Sequence, residues 1–270
     1  MTNNCLVTKL KSSVDNDALP KVGDILFKRL ASTNESAIND QFIFSVSSMA
    51  YGQSVTISAE EGGYFVLDPA NMYNPSYRLT SKTITSSDGS VILYMANMNF
   101  RIRVSNKYAL NQFRLATGTS AQVNLTDFGY CGLMTVFSVR EMESVYGDIN
   151  KLLENGLLTS LTLTAVHSTI KTSSLAKCVG LTTATLGSIT FEGDLSQLSP
   201  LTSLNNVNFG GSKISGDINT LAQAMWNNGS GRTQGTLTMY CADTGITYNG
   251  NPFSKATITF SNNAPVINVS

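Results

Sequence analysis

A mainly β chain with some helix is what this sequence predicts: an N-terminal sandwich- or barrel-like β domain, then a short stack of repeats closed by a cap. Three observations carry that expectation. The chain is poor in charge and rich in Ser, Thr, Asn and Gly, a composition common among β-rich extracellular, viral and repeat proteins. Its first half consists of short alternating segments about ten residues apart. Its second half repeats itself every 23 residues, as the recurrence of Gly193-Asp194-Leu195 in Gly216-Asp217-Ile218 shows.

The totals bound the function. A length of 270 residues suits one large domain or two ordinary ones with a substantial core. The 18 Lys+Arg balance the 18 Asp+Glu, and 13% of residues are charged. No excess of clustered cations is present, so no nucleic-acid partner is expected. No stretch approaches the ~20 apolar residues of a membrane span, so no membrane insertion is expected. Met1-Thr2-Asn3-Asn4-Cys5 lacks the features of a signal peptide. Cys5, Cys131, Cys178 and Cys241 lie far apart with no CxxC pair, and are expected to be buried thiols in a reducing compartment. That spacing also argues against zinc, and no cofactor is expected.

Residues 1–30 have a short alternating strand, an acidic turn, Pro20 and a second apolar patch. They read as an edge hairpin or as an arm that docks by adding a strand to another protein. Residues 31–143 read as the β domain, with strands in QFIFSVSS, QSVTISAE, GYFVLD, KTITSS, SVILYM, FRIRVS and QVNLTDF. NKYALNQFRL reads as a connector packed between the halves, and the boundary is expected near Arg140–Val145.

Residues 144–270 form the repeat domain, with units starting at 147, 170, 193 and 216. The third column reads Ile149, Thr172, Leu195, Ile218; the sixth reads Leu152, Leu175, Leu198, Leu221; the twelfth reads Leu158, Leu181, Leu204. Leu161/Leu163, Ala184/Leu186 and Val207/Phe209 follow at two-residue spacing, which sets both side chains on the core face of a short strand. This pattern resembles the leucine-rich repeat, whose units stack because one turn alone cannot bury its apolar side. Gly-Asp supplies the bend: Gly accepts positive φ, and Asp bonds nearby amides. INTLAQAMWNNG predicts a helix ended by Gly229, with Trp226 closing the stack. GITYNGNPF and KATITF predict a hairpin turned at Asn249-Gly250.

Taken together, the N-terminal NNCLVTKLKSSVDNDALPKVGDI, the central VSNKYALNQF, the GDI…LTSL repeats and SGRTQGTLTM resemble the structural proteins of tailed phages of Bacteroidales, the crAss-like group among them. The resemblance implies a head fibre, a capsid decoration or a tail-associated adhesin, assembled in the host cytoplasm and located in the virion. Its partners would be phage capsid or tail proteins and further copies of itself, as a dimer or trimer. Attachment would then run through the N-terminal part, with Leu6, Val7, Leu10, Ile25 and Phe27 as candidate anchors. The competing reading is a bacterial surface or secreted repeat protein.

No catalytic constellation emerges, and the chain reads as not an enzyme. His167, the one histidine, falls in a repeat turn and reads as a polar loop residue. Glu60-Glu61 and Glu141/Glu143 read as solvated turns rather than a glycosidase pair. The Asp15–Asp24 stretch lacks the glycine and terminal Glu of a calcium loop, and Ser86–Ser90 reads as a tight turn. The candidate binding surface is the concave strand face, through Thr162, Thr164, Thr185, Asn208, Thr238 and Tyr240, with Gly187 and Gly210 between them. A flat polar face with one aromatic suits a host-surface glycan or protein.

Overall fold

The computed structural model describes residues 24–29, 40–48, 54–60, 62–95, 101–115, 121–140, 145–227, 232–261 and 264–270. The chain is mainly β, in several sheets. Leu6, Val7, Leu10, Cys5, Glu61, Glu141 and Glu143 lie outside the described residues, as does nearly all of Asp15–Asp24.

The first seven strands are β1 (Ile25–Arg29), β2 (Asp40–Val46), β3 (Ser54–Glu60), β4 (Phe65–Val66), β5 (Ser81–Thr85), β6 (Ser90–Met95) and β7 (Arg101–Ser105). All pair antiparallel, in the orders β1-β7-β3-β5 and β2-β6-β4. Alternation places Ile25 and Phe27 on one inner face and Phe42 and Phe44 on the other, all fully buried. Phe27 meets Phe42 and Phe113 at centroid distances of 5.4 Å each. The two sheets therefore meet through apolar faces.

Both sheets continue into the rest of the chain. Next come β8 (Leu110–Leu115), β9 (Ala121–Asn124), β10 (Val136–Arg140), β11 (Val145–Tyr146), helix α1 (Asn150–Glu154), β12 (Ser160–Thr164), β13 (Thr169–Lys171), α2 (Thr172–Leu175), β14 (Thr183–Gly187), β15 (Thr190–Glu192), β16 (Asn206–Asn208), β17 (Ser215–Asp217) and α3 (Ile218–Asn227). The chain closes with β18 (Gly235–Tyr240), β19 (Gly245–Tyr248), β20 (Asn251–Pro252), β21 (Lys255–Phe260) and β22 (Val266–Val269). Among the described residues one sheet has eleven strands, ordered β22-β21-β18-β16-β14-β12-β10-β8-β2-β6-β4. From β8 to β18 its pairing is parallel. The opposite side carries shorter parallel pairs: β9 with β11, β13 with β15, and β17 with β19.

Three expectations are corrected here. NKYALNQFRL is not a connector: its second half is β8, a central strand antiparallel to β2 and parallel to β10. Nor does Arg140–Val145 separate two sheets, since β10 pairs with β8 on one side and β12 on the other. The reason is a shared core. Phe113, Phe128 and Phe137 pack at 4.9 and 4.8 Å, carrying the sandwich's aromatic cluster beneath the first parallel strands. GITYNGNPF does form a hairpin, β19–β20, turned by Asn249 and Gly250 at φ 50 and 78. KATITF is separate from it: as β21 it pairs with β18.

The Gly-Asp positions behave as their chemistry requires. Gly147, Gly193 and Gly216 have φ of 94, 116 and 138. The Oδ1 of Asp148, Asp194 and Asp217 accepts from the amide two residues on, at 2.9, 2.7 and 2.9 Å, starting the next helical turn. The unit that lacks Gly-Asp has no side-chain cap on its helical turn, and Asn150 of the preceding unit bridges to it instead. Its Nδ2 donates to Thr169 O at 2.9 Å, and its Oδ1 accepts from Lys171 N at 2.8 Å. Trp226 packs against the core and donates Nε1–H to Ser261 O at 3.1 Å.

Candidate functional site

Parallel pairing brings the expected surface residues into rows, one residue per strand. Thr162, Thr185, Asn208 and Tyr240 are successive Cα partners, and the row continues through Ser138 to Arg114 on one side and Lys255 on the other. Thr238 belongs to the adjacent row, with Asn206, Thr183 and Ser160. Thr164 is level with Gly187 and Arg140. The inner neighbours Phe137, Leu161, Ala184, Val207 and Met239 are buried, which turns these rows outward. The result is a flat face of hydroxyls and amides in which Thr162 is itself buried and Tyr240 is 39% exposed. Lys255 Nζ stands 5.4 Å from the Tyr240 ring centroid, so one face of that ring is occupied by a cation.

The rows extend to β8 and β10, which sequence reasoning left out. The signal was present. Asn124-Leu125, Phe128, Met134, Phe137 and Val139 match Asp148-Ile149, Leu152, Leu158, Leu161 and Leu163 at a step of 24 rather than 23. Asn124 Oδ1 accepts from Thr126 N at 3.1 Å, as the Asp residues do in later units. A threonine ladder confirms the alignment: Thr135 bonds to Asn111 O, Thr159 to Thr135 O and Thr182 to Thr159 O, each through both N–H and Oγ1.

Of the anchor candidates, Ile25 and Phe27 are fully buried in β1, which lies between β7 and β9. They are core residues of this chain and are not available to a partner.

His167 is exposed in the turn between β12 and β13, its N–H donating to Val145 O at 3.0 Å. It rims a groove of about 600 Å³ with Ser168, Ser188, Thr190 and Lys213. A second groove of about 270 Å³ shares Gly147, Ser168 and Thr169 with the first and adds Asp148, Lys171 and Glu192. The Ser168 hydroxyl donates to Gly147 O at 2.8 Å, so it is engaged in structure rather than poised as a nucleophile. Glu60 is held by Arg103, with Nε and Nη2 at 2.7 and 2.5 Å from Oε1. Ser86–Asp88 is the expected tight turn: Asp88 Oδ2 accepts from Thr85 N–H and Oγ1 at 2.7 and 2.8 Å, which holds its carboxyl below its usual range.

Lys107 is a buried cation, 2% exposed, with Nζ 5.0 Å from the Tyr130 ring centroid. Burial pushes its ammonium down and the Asp127 carboxyl up, and each charge opposes the other's shift. Beside them, burial pushes the Cys131 thiol up to about 12. Cys178 and Cys241 are raised by burial to about 11 and 12. All three are free and buried, as the sequence suggested, and such thiols are poor nucleophiles. Among the described residues no cluster of three or more His, Cys, Asp or Glu gathers to hold a metal, and no helix is long and apolar enough to cross a membrane.

What the residues assemble is therefore an extended polar sheet face and two shallow side grooves. No protein-family model matches the chain, and no curated protein or solved structure does either.

Proposed function

We propose that the chain is a structural protein of a tailed-phage virion. It acts as a fibre or decoration, placed on the head in preference to the tail and attached by its N-terminal part. Its repeat-bearing half is a leucine-rich-repeat solenoid presented outward, and the protein is not an enzyme. The resemblance of its motifs supports the virion assignment. Parallel strands at 23- and 24-residue steps, alternating with short helical turns, support the solenoid assignment.

The observation that carries the presenting role is the outward row Ser138–Thr162–Thr185–Asn208–Tyr240, one uncharged hydrogen-bonding side chain per strand. A host glycan or protein is the contact such a face suits. Few units make a small surface, so useful avidity comes from many copies on a symmetric particle and from oligomers of the chain itself, dimers or trimers.

Mass spectrometry with copy-number determination on purified particles tests the placement. Many copies per particle are expected. A few copies would move it to the tail, and absence would transfer it to the bacterial surface as a repeat-containing binding protein.

A further inference from the structure

Residues 65–79 form a loop closed at its base, where Phe65 and Leu79 exchange both backbone hydrogen bonds at 3.0 and 2.9 Å. Within it, Asp68 caps the 3-10 turn Pro69–Asn71 and Asn74 caps Pro75–Tyr77, each turn beginning with proline. Met72 is buried beneath the loop, and the Tyr64 hydroxyl donates to Met72 O at 3.4 Å. Arg78 lies 4.3 Å from the Tyr64 ring centroid. Compact loops of this kind carry their own packing and are frequently functional.

This order holds apolar surface in water. Leu67 is 46% exposed, Tyr77 55% and Tyr73 70%. Cations lie over Tyr64, Tyr130 and Tyr240, but among the described residues none covers Tyr73 or Tyr77. A tyrosine on a loop already ordered loses little freedom on binding. The loop also carries the Asn71 side chain, whose Nδ2 donates one bond to Asp68 Oδ2 at 3.3 Å, and the Ser76 hydroxyl. The loop's charges, Asp68 and Arg78, are engaged in the cap and the ring contact. Three exposed side chains are far short of the ~800 Å² per partner of a stable protein interface, and the single exposed cation Arg78 is balanced by the exposed anion Asp68, so the loop carries no net charge to attract a charged polymer.

We propose that this loop is a binding site for a neutral saccharide. The Tyr73 and Tyr77 rings receive the C–H faces of sugar rings, and Asn71 and Ser76 bond to hydroxyls. The loop joins β4 to β5, and β4 ends the long sheet eight strand steps from β18. Along the sheet it therefore lies roughly 40 Å from Tyr240 at ~4.8 Å per step, a separate site from the polar face. The inference deepens the adhesive reading of the protein and is independent of where in a virion it sits.

Native electrophoresis of the full chain through gels containing galactomannan, xylan, β-glucan or dextran tests it, with hyaluronan and dextran sulfate as acidic comparisons. Retardation is expected in at least one neutral gel. Affinity should weaken at least tenfold in Tyr73→Ala/Tyr77→Ala, with an unchanged melting temperature because both rings are exposed. Tyr73→Phe/Tyr77→Phe should retain binding, and Tyr240→Ala should bind like the parent. Absence of retardation in every neutral gel, retardation in acidic gels alone, or indifference to the double alanine variant would each overturn the proposal. Loss in Tyr240→Ala alone would also overturn it, moving the saccharide to the sheet face while leaving the adhesive reading intact.

Discussion

Gly193 and Thr172 show how one residue's identity is set by a neighbour a unit away. A Cβ on Gly193 would collide with Thr172 Oγ1 and Gln197 Oε1, at a φ of +116 that side chains rarely adopt. Thr172 occupies the column where Ile149, Leu195 and Ile218 are buried, and its hydroxyl donates to Glu192 O at 3.3 Å. The sequence made the glycine legible, because Gly-Asp recurs. It did not reveal Asn150, whose side chain bridges to the next unit, because that role depends on a contact absent from local pattern. The buried thiols give a prediction at this scale. Their folded pKa values are raised to about 11–12 from a usual value near 9. Folded thiols keep protons that the unfolded chain releases above about pH 9, so their contribution is constant below that pH and is lost as pH rises toward 12. In a Cys5→Ser background, stability from urea titrations should fall above pH 9 by up to about 1.4 kcal/mol per thiol per pH unit. Cys241→Ala should remove its share of that slope. A slope untouched by Cys241→Ala would show the thiol is not the titrating group.

At the scale of elements, the last unit is the irregular one. Val207 and Met239, Cα partners in β16 and β18, are separated by more than thirty residues because α3 and the segment after it intervene. Arg232 fastens that longer connection. It is buried, donates to Leu204 O, Thr236 O and Asn205 Oδ1, and lies 4.8 Å from the Phe260 ring centroid. Truncating it leaves the carbonyl of buried Leu204 unpaired and uncovers the Phe260 ring, so Arg232→Ala should destabilise the protein by about 2 kcal/mol. Arg232→Lys should recover only part, since an ammonium cannot reproduce the planar fork. Full recovery with lysine, read from denaturation midpoints, would show that charge alone suffices. Helix α3 and the Asn249-Gly250 turn were legible in the sequence, while Gly229, expected to end the helix, lies outside the described residues. β8 was not, because the same residues serve an antiparallel neighbour on one side and a parallel one on the other, and no periodic signal distinguishes that from a connector.

At the scale of the whole molecule, the sequence suggested two objects and the structure joins them through one sheet. The change in pattern near residue 140 was real, from aromatic strands to leucine columns, but a shared phenylalanine cluster carries the core across it. Unfolding should therefore follow a single transition by fluorescence and circular dichroism, where two independent domains would give two. The same argument relocates the N-terminal boundary. β1 begins at Ile25 and lies between β7 and β9, so removing residues 1–30 should unfold the N-terminal sheet. A melting temperature equal to that of the full chain would mean β1 is dispensable.

The threonine ladder makes reach a countable quantity. Each added unit contributes one rung to the same sheet, about 4.8 Å, with its hydrogen bonds directed only to the rungs on either side. Duplicating residues 170–192 would move the capped end outward by one such increment without altering the contacts of either end. Gain or loss of units in this way lengthens or shortens the sheet while keeping the same joints.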